Sequence, residues 1–152
     1  MKAAVARLHD VNLAEIAPVE SPKADLPASV THYVERDGLK FAGTHLIIDV
    51  WGASRLDQMR VVERMMRDAV DEVGATLLRL DLHHFQENGG ISGVALLAES
   101  HISIHTWPET GYAALDIFVC GDCDAYRAVP VIKRALAPER VTVAEHKRGL
   151  SV

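Results

Sequence analysis

The residues able to do chemistry concentrate in one stretch of the sequence. It holds hydroxyls, carboxylates, imidazoles and thiols: Ser92, Glu99, Ser100, His101, His105, Glu109, Asp116, Cys120 and Cys123. Hydroxyl and thiol groups are common enzyme nucleophiles, and imidazoles and carboxylates are common proton carriers. These residue types are consistent with three kinds of site: a metal site, a redox site and a nucleophilic serine site.

A metal site would have to use His101 and His105, which are four positions apart. That is zinc-ligand spacing on a helix, but the HExxH order is absent and the alternation of Ile102 and Ile104 favours a strand. On a strand the two imidazoles share a face and lie about 13 Å apart along its axis. We therefore expect no metal ion here.

A redox site is the second possibility, because Cys120-Gly-Asp-Cys123 is a C-x-x-C motif. In thioredoxin-like sites this motif follows a strand and opens a helix within a βαβ unit. Here it follows a predicted strand and precedes a predicted helix, but the surrounding pattern predicts antiparallel hairpins. A redox or metal-binding module remains an alternative.

A serine site would pair Ser100 as nucleophile with His105 as base. The G-x-S-x-G elbow of α/β-hydrolases is absent, and Ala98-Glu99 precede Ser100 inside what reads as a β segment. The sequence therefore gives little support to a serine hydrolase.

The surrounding sequence alternates between strand and helix patterns. Apolar residues at every second position predict strands, and spacings of three and four predict helices. One helix is predicted from a Ser54 cap to about Val73, and another over about 124–136, with Pro130 either in its first turns or kinking it. Strands are predicted at 45–51, 78–82, 93–98 and 115–120, and from Val141.

The predicted order is β-α-β-β-β-α-β, with tight turns between the middle strands. Short connections make neighbouring strands antiparallel, and helices then pack on one face. The expected fold is a two-layer α+β sandwich, an antiparallel sheet with two helices on one face.

Composition restricts the class of protein. The 152 residues are enough for one domain, and a formal net charge of −5 argues against a nucleic-acid surface. No apolar run is long enough for a membrane span, no signal peptide is visible, and two cysteines are too few for a disulfide framework. We expect a cytoplasmic protein.

The sequence before residue 41 differs from the rest. Pro18, Pro22 and Pro27 punctuate it, with charged residues between them. Residues 1–40 are therefore predicted to be a flexible N-terminal extension, and residues 41–152 the functional domain.

The segment Gly93 to Gly121, GVALLAESHISIHTWPETGYAALDIFVCG, resembles the core of prokaryotic S-adenosylmethionine decarboxylases. The similarity extends to GTHLIIDVWGA at 43–53, LHHF at 82–85 and the closing residues 141–149, so it covers about residues 43–149. The block AESHISIHTWPE at 98–109 is long, unusual in composition and specific for this superfamily.

The resemblance implies a self-processing enzyme, cut between Glu99 and Ser100 into chains 1–99 and 100–152. Ser100 Oγ would attack the Glu99 carbonyl, and the amide would become an ester. β-Elimination and hydrolysis would then leave a pyruvoyl group as cofactor. That group would hold the substrate amine as a Schiff base and accept electrons as CO₂ leaves.

The resemblance also implies roles for other side chains. Asp116 is selected by its position instead, because it lies on the strand that leads to Cys120, and it is expected to line the substrate site. The remaining assignments are His105 as proton acceptor in processing, Ser92 as a second processing residue, Cys120 as proton donor to the substrate, Glu109 as ligand of the ribose hydroxyls and Phe85 as the ring that stacks on adenine.

The chain departs from the family at two places: one additional residue lies between Phe85 and Ser92, and the N-terminal extension exceeds the short family form. Relatives with similar processing cores decarboxylate arginine or ornithine, so the cleavage motif supports self-processing more strongly than it supports one substrate. S-adenosylmethionine, decarboxylated for spermidine synthesis, is the favoured small-molecule substrate. Arginine or ornithine, and a relative that binds without processing, are the alternatives. The expected assembly is a homodimer or larger oligomer of cleaved protomers with active sites at the interface.

Overall fold

A computed structural model of the chain describes residues 33–36 and 38–151, which form eight strands and two α-helices. Strands β3 to β8 form one antiparallel sheet in the order β4-β5-β6-β7-β3-β8, and β1 and β2 form a separate hairpin. The elements are β1 Val34–Arg36, β2 Leu39–Phe41, β3 Gly43–Trp51, α1 Met59–Val73, β4 Leu77–His84, β5 Ile91–Leu97, β6 Ser100–Trp107, β7 Tyr112–Cys120, α2 Ala128–Leu136 and β8 Arg140–Arg148. The predicted α+β class is confirmed. Neither helix in the described part of the chain is long and apolar enough to cross a membrane.

One face of the six-stranded sheet is buried against the two helices. Every second residue along the central strands is excluded from water and packs with the apolar faces of α1 and α2 in a single core. Burial of apolar surface on this scale is the main stabilising contribution to such a domain. The core includes Leu46, Ile48 and Val50 of β3, Ile102 and Ile104 of β6, Leu115 and Ile117 of β7, Val62 and Met66 of α1, and Ile132 of α2.

The opposite face of the sheet, called here the open face, is not covered by either described helix. It carries the alternate residues of the same strands, including several exposed large apolar side chains. These are Ile47, Trp51, Val94, Leu96 and Trp107. Apolar groups gathered on one side of a small domain are typical of an interaction surface.

The predicted start of the first helix was wrong. Helix α1 begins at Met59 after Gln58, which makes no side-chain cap. The Ser54 amide and hydroxyl instead donate to the Leu136 carbonyl at 2.8 and 3.1 Å. The last carbonyls of a helix lack intrahelical partners, so Ser54 satisfies the end of α2 rather than the start of α1.

The second predicted helix was too long at its N-terminus. Residues 125–127 form a 3₁₀ turn whose preceding residue, Asp124, accepts a hydrogen bond from the Tyr126 amide at 3.0 Å. Helix α2 starts only at Ala128. Pro130 lies in the first turn of α2, where its missing N–H costs no hydrogen bond, which is the first of the two predicted alternatives.

The predicted strand count between the helices was also wrong. Four strands, not three, lie there, because β5 and β6 are separated by a two-residue turn at Ala98–Glu99. Neither residue is a usual turn former, and Glu99 adopts the left-handed conformation with φ 63°. The sequence pattern therefore continued the strand through a position where the chain reverses.

The predicted N-terminal extension lies largely outside the described residues. Its final part belongs to the β1–β2 hairpin, which crosses the boundary placed after residue 40. The Ser151 amide donates to the Lys40 carbonyl at 2.8 Å, so β2 is tied to the end of the described chain.

Thr106 is a buried polar residue that links three segments, and its replacement by valine should destabilise the fold. Its hydroxyl donates to the Leu56 carbonyl at 2.9 Å and accepts from the Ile91 amide at 2.7 Å. Thr106→Val keeps the shape but leaves both backbone groups unpaired, so the free energy of unfolding in urea should fall by about 1–3 kcal/mol.

Thr142→Val is the matched control, since Thr142 is exposed and makes one long bond of 3.5 Å to Asp49. Its unfolding free energy should stay within about 0.5 kcal/mol of wild type. Equal losses in the two variants would show that the buried hydrogen bonds of Thr106 are unimportant.

Candidate active site

The peptide bond between Glu99 and Ser100 lies at a strained turn. Glu99 has φ 63°, a conformation that costs a residue with a side chain about 1–2 kcal/mol. Ser100, only 8 % exposed, is the first residue of β6. The turn therefore presents a buried hydroxyl directly after a strained backbone unit.

Cys120, the last residue of β7, lies beside this turn. Burial raises the pKa of the Cys120 thiol above its ordinary value, and the negative charge of Glu99 raises it further. A hydrogen bond with Ser100 lowers that pKa but does not reverse the rise. The thiol therefore stays protonated at neutral pH. Glu99, Ser100 and Cys120 are called here the turn cluster.

A second group of predicted site residues lies at the other end of β6. Ser92 of β5 and His105 of β6 are paired across the strands, with 2.8 Å between Ser92 Oγ and His105 Nδ1. His105 is five positions beyond Ser100, about 16 Å along the strand at the usual rise per residue. Within one chain the structure does not bring His105 to Ser100.

Phe85 and Glu109 lie at the same end of the sheet as the Ser92–His105 pair. Phe85 follows the end of β4, and its ring packs edge-on against His83, with 4.6 Å between ring centroids. Glu109 is exposed in the 3₁₀ turn Pro108–Thr110 that follows β6. Phe85, Ser92, His105 and Glu109 are called here the imidazole cluster.

A shallow depression of about 410 Å³ adjoins the imidazole cluster on the open face. Gly93 lines it, and a Cβ there would lie 2.6 Å from the Asp81 carbonyl oxygen, where β4 pairs with β5. A larger residue there would separate β4 from β5. The lining residues are Asp81, Leu82, His83, Ser92, Gly93, Val94, Ser103 and His105.

Asp116 lies between the two clusters in a polar network. Ser103 Oγ donates to Asp116 Oδ2 at 3.2 Å, and His45 Nε2 is 3.3 Å from Asp116 Oδ1. Arg148 in turn donates to His45 Nδ1 at 3.2 Å. Sequence reasoning missed His45 and Ser103. The signal for Ser103 was present, because it alternates with buried Ile102 and Ile104 and so shares the face of His105.

Aromatic rings continue the open face beyond His105. The Tyr112 ring lies between those of Trp107 and Trp51, with centroid distances of 5.2 and 4.5 Å. The Tyr112 hydroxyl donates to Asp49 at 2.6 Å, and this hydrogen bond, with burial and the negative charge, raises the pKa of Tyr112 to about 12. The phenol is therefore held neutral and in a fixed orientation.

The geometry gives little support to the redox and metal alternatives. Burial and Asp122 raise the pKa of the Cys123 thiol, whereas reactive redox thiols have lowered pKa values. Cys123 donates to the Gly74 carbonyl at 3.5 Å, a contact that fixes the chain after β7 against the end of α1. Across residues 33–36 and 38–151, no three His, Cys, Asp or Glu side chains are grouped closely enough to hold a metal ion.

Comparison with known proteins gives a consistent result. A family model described as S-adenosylmethionine decarboxylase matches residues 44–149. The S-adenosylmethionine decarboxylase proenzyme of Thermomicrobium roseum is 43 % identical over 115 residues, covering 75 % of this chain and 99 % of that protein. The proenzyme of the same name from Methanococcus maripaludis is 46 % identical over 115 residues, covering 74 % and 93 %.

A solved structure is also similar. The crystal structure of the adenosylmethionine decarboxylase from Aquifex aeolicus superposes with a TM-score of 0.66 at 36 % sequence identity. The match covers 74 % of this chain and 94 % of that chain. The family-model match includes the segment around Ser100, and the solved relative shares the fold over 74 % of this chain.

The hydrogen bond between Tyr112 and Asp49 should control the ionisation of the phenol. Removing the carboxylate charge with Asp49→Asn should lower the pKa of Tyr112 from about 12 towards the ordinary tyrosine value. In ¹³Cζ-tyrosine NMR spectra at pH 11, Tyr112 should be mostly neutral in wild type and mostly ionised in the variant.

Thr142→Val removes the other, longer bond to Asp49 and should leave the titration of Tyr112 unchanged. If Tyr112 ionises at the same pH in wild type and Asp49→Asn, the Asp49 carboxylate is not what raises the pKa of Tyr112.

Proposed function

Because the chain belongs to the S-adenosylmethionine decarboxylase family, we propose that it decarboxylates S-adenosylmethionine with a pyruvoyl group that it makes from Ser100 by cutting itself. The observation that carries the proposal is the strained Glu99–Ser100 peptide bond beside the protonated Cys120 thiol. The similar proteins are named for S-adenosylmethionine, which favours this substrate over arginine or ornithine.

The first step of processing needs only the residues at the turn. Ser100 Oγ attacks the Glu99 carbonyl carbon, the C–N bond breaks, and the hydroxyl proton passes to the departing nitrogen. The product is an ester with a free amine. The left-handed conformation of Glu99 raises the energy of the intact turn by about 1–2 kcal/mol, and cleavage releases that strain.

The second step needs a proton acceptor. β-Elimination removes the Ser100 Cα proton and breaks the ester C–O bond, which frees the Glu99 carboxylate. Water then displaces the nitrogen as ammonia and leaves the pyruvoyl carbonyl. An imidazole is the usual acceptor for such a proton near neutral pH, which supports His105 in this role.

The turn cluster suits a pyruvoyl group at position 100. Once present, that group supplies an electrophilic carbonyl that withdraws electrons as CO₂ leaves the substrate. Ser100 itself is only 8 % exposed, so this position is largely shielded from water. The raised pKa of Cys120 keeps its proton available for the substrate carbon after CO₂ has left.

The separation of the two clusters supports a site completed by a second protomer. Proton transfer needs donor and acceptor about 2.6–3.2 Å apart, whereas His105 is about 16 Å along β6 from Ser100. A two-fold dimer that packs open face on open face would place the imidazole cluster of each protomer over the turn cluster of the other. We therefore infer a homodimer with two active sites, each built from both protomers.

The open face has the features that such a dimer needs. Its exposed apolar side chains would be buried between the two sheets, and an isologous interface pairs the same patch on both copies. Ser103 and Asp116 lie on cross-strand paired positions between the two clusters, close to where a two-fold axis would pass. Asp116 would then orient neighbouring groups at the interface.

The imidazole cluster supplies contacts suited to a nucleoside. The Phe85 ring is 45 % exposed and can stack on adenine, and the Glu109 carboxylate can accept from both ribose hydroxyls. The additional residue before Ser92 lies in a loop closed by hydrogen bonds between Phe85 and Gly90 (2.8 Å) and between Gly89 and Phe85 (3.0 Å). These bonds keep Phe85 at the end of β4 despite the insertion.

Self-cleavage and decarboxylation are the direct test of the proposed function. Purified protein should contain two fragments that split between Glu99 and Ser100, with a blocked N-terminus on the smaller one. It should release CO₂ from S-adenosylmethionine and not from arginine or ornithine. Ser100→Ala should remain a single chain, because no hydroxyl is left to attack. An intact wild-type mass after long incubation would refute self-processing.

Processing and turnover should separate at Cys120. Cys120→Ala should still be cleaved, since the acyl shift does not use the thiol, yet lose most CO₂ release. Cys123→Ala is the matched control; it removes a neighbouring thiol and should keep both activities. Wild-type turnover in cleaved Cys120→Ala would remove this thiol from the mechanism, and a large loss in Cys123→Ala would support the redox alternative.

A further inference from the structure

The helix side of the molecule contains a cavity that the decarboxylase site does not use. It has a volume of about 380 Å³ and lies between α1 and α2, remote from the open face. Four arginines and one carboxylate line it, in a chain whose formal net charge is −5. The lining residues are Arg55, Arg60, Val61, Arg64, Met65, Asp68, Val131, Arg134 and Ala135.

The positive charge of this cavity is only partly offset, by Asp68, within the described part of the chain. None of its four arginines forms an ion pair with another described residue. Arg55 donates to the Arg134 carbonyl at 3.3 Å, and the nearby Glu63 is paired with Arg67 at 2.9 Å instead. The cavity therefore presents guanidinium groups that form no ion pair with a described carboxylate.

The local structure shows a cost for this arrangement. Arg60 and Arg64 are one helical turn apart on α1, and like charges at that spacing destabilise a helix. Arg55 has φ 62°, the left-handed conformation that favours glycine. Strain and repulsion without internal compensation are typical of positions kept for binding.

The floor of the cavity is apolar. Met65 and Val131 are buried beneath it, and Val61 and Ala135 complete its walls. Its volume falls in the range of small-molecule sites. On its far side, Asp68 and Arg134 also line a neighbouring depression with Asp71, Glu72 and Arg127. Most of the nearby carboxylates lie on that side, so an anion would bind at the Arg55, Arg60 and Arg64 end.

We propose that this cavity binds a small molecule that carries a polyphosphate group. Guanidinium groups bind phosphate oxygens bidentately, and several of them favour a ligand with several negative oxygens. The apolar floor offers contact area to an uncharged portion of the ligand. Inorganic polyphosphates and nucleotides share the required chemistry, and the experiment separates them.

Calorimetric titration of the full chain tests the proposal, with inorganic triphosphate and ATP as separate probes. Both should bind wild type and the uncut Ser100→Ala variant equally, because the cavity is remote from the cleavage site. The double variant Arg60→Gln/Arg64→Gln should raise the Kd about tenfold or more, the scale of lost hydrogen bonds to charged groups. Arg67→Gln removes the same charge from the same helix outside the cavity and should change little.

Asp68→Asn should change the Kd in the opposite direction. Because an unfolded protein would not bind more tightly, this variant distinguishes loss of binding from loss of folding. It removes the carboxylate of the cavity, so triphosphate should bind more tightly than to wild type. Tighter binding of ATP than of triphosphate would identify a nucleotide ligand, and equal binding an inorganic one. The proposal is overturned if neither probe gives more heat than a control titration with KCl of the same ionic strength. It is also overturned if Arg67→Gln weakens binding as much as the double variant, or if ATP binding ignores the cavity variants.

Discussion

The two-residue turn at Ala98–Glu99 is the constraint on which the rest of the site depends. It reverses the chain between β5 and β6 without a glycine, so Glu99 is held with φ 63° and Ser100 begins the next strand. That start point fixes the faces of β6. Ile102 and Ile104 are buried on the helix side, and His101, Ser103 and His105 lie on the open face, while Ser100 is buried at the first position of the strand, beside Cys120. One turn thus creates the strained bond and separates it from the imidazole.

The two faces of the sheet have different roles: one forms the core, and the other carries the candidate site residues. The helix-covered face holds a dry apolar core that fixes β6 on both sides and can maintain a strained turn at its end. The open face holds the polar and aromatic groups, arranged along the strands in two clusters with Asp116 between them. The rigid core on the helix-covered face and the uncovered open face together favour a site completed by a second copy of the chain.

Much of the fold could be predicted from the sequence, because strands and helices each space their apolar residues at a characteristic interval. The alternation along 115–120 and the helical spacing from Met59 to Val73 predicted the β7 strand, the α1 helix and their packing. The turn at Ala98–Glu99 was missed because its residues carry no turn signal, and the Ser54 cap because a serine can satisfy either helix end. Residue types and the family block selected the residues of both clusters as one predicted site, but only the strand register shows that Ser100 and His105 lie at opposite ends of β6.

The central claim is that each cleavage site combines Ser100 of one protomer with His105 of the other, and mixed dimers test it most directly. His105→Ala and Ser100→Ala chains with different affinity tags would be co-expressed, and dimers carrying both tags isolated. Each variant alone should remain uncut. In the mixed dimer the His105→Ala chain should be cleaved at Glu99–Ser100, because its partner supplies the missing imidazole, while the Ser100→Ala chain stays intact. A verified mixed dimer in which both chains remain whole would contradict the shared site, as would cleavage of the His105→Ala chain on its own.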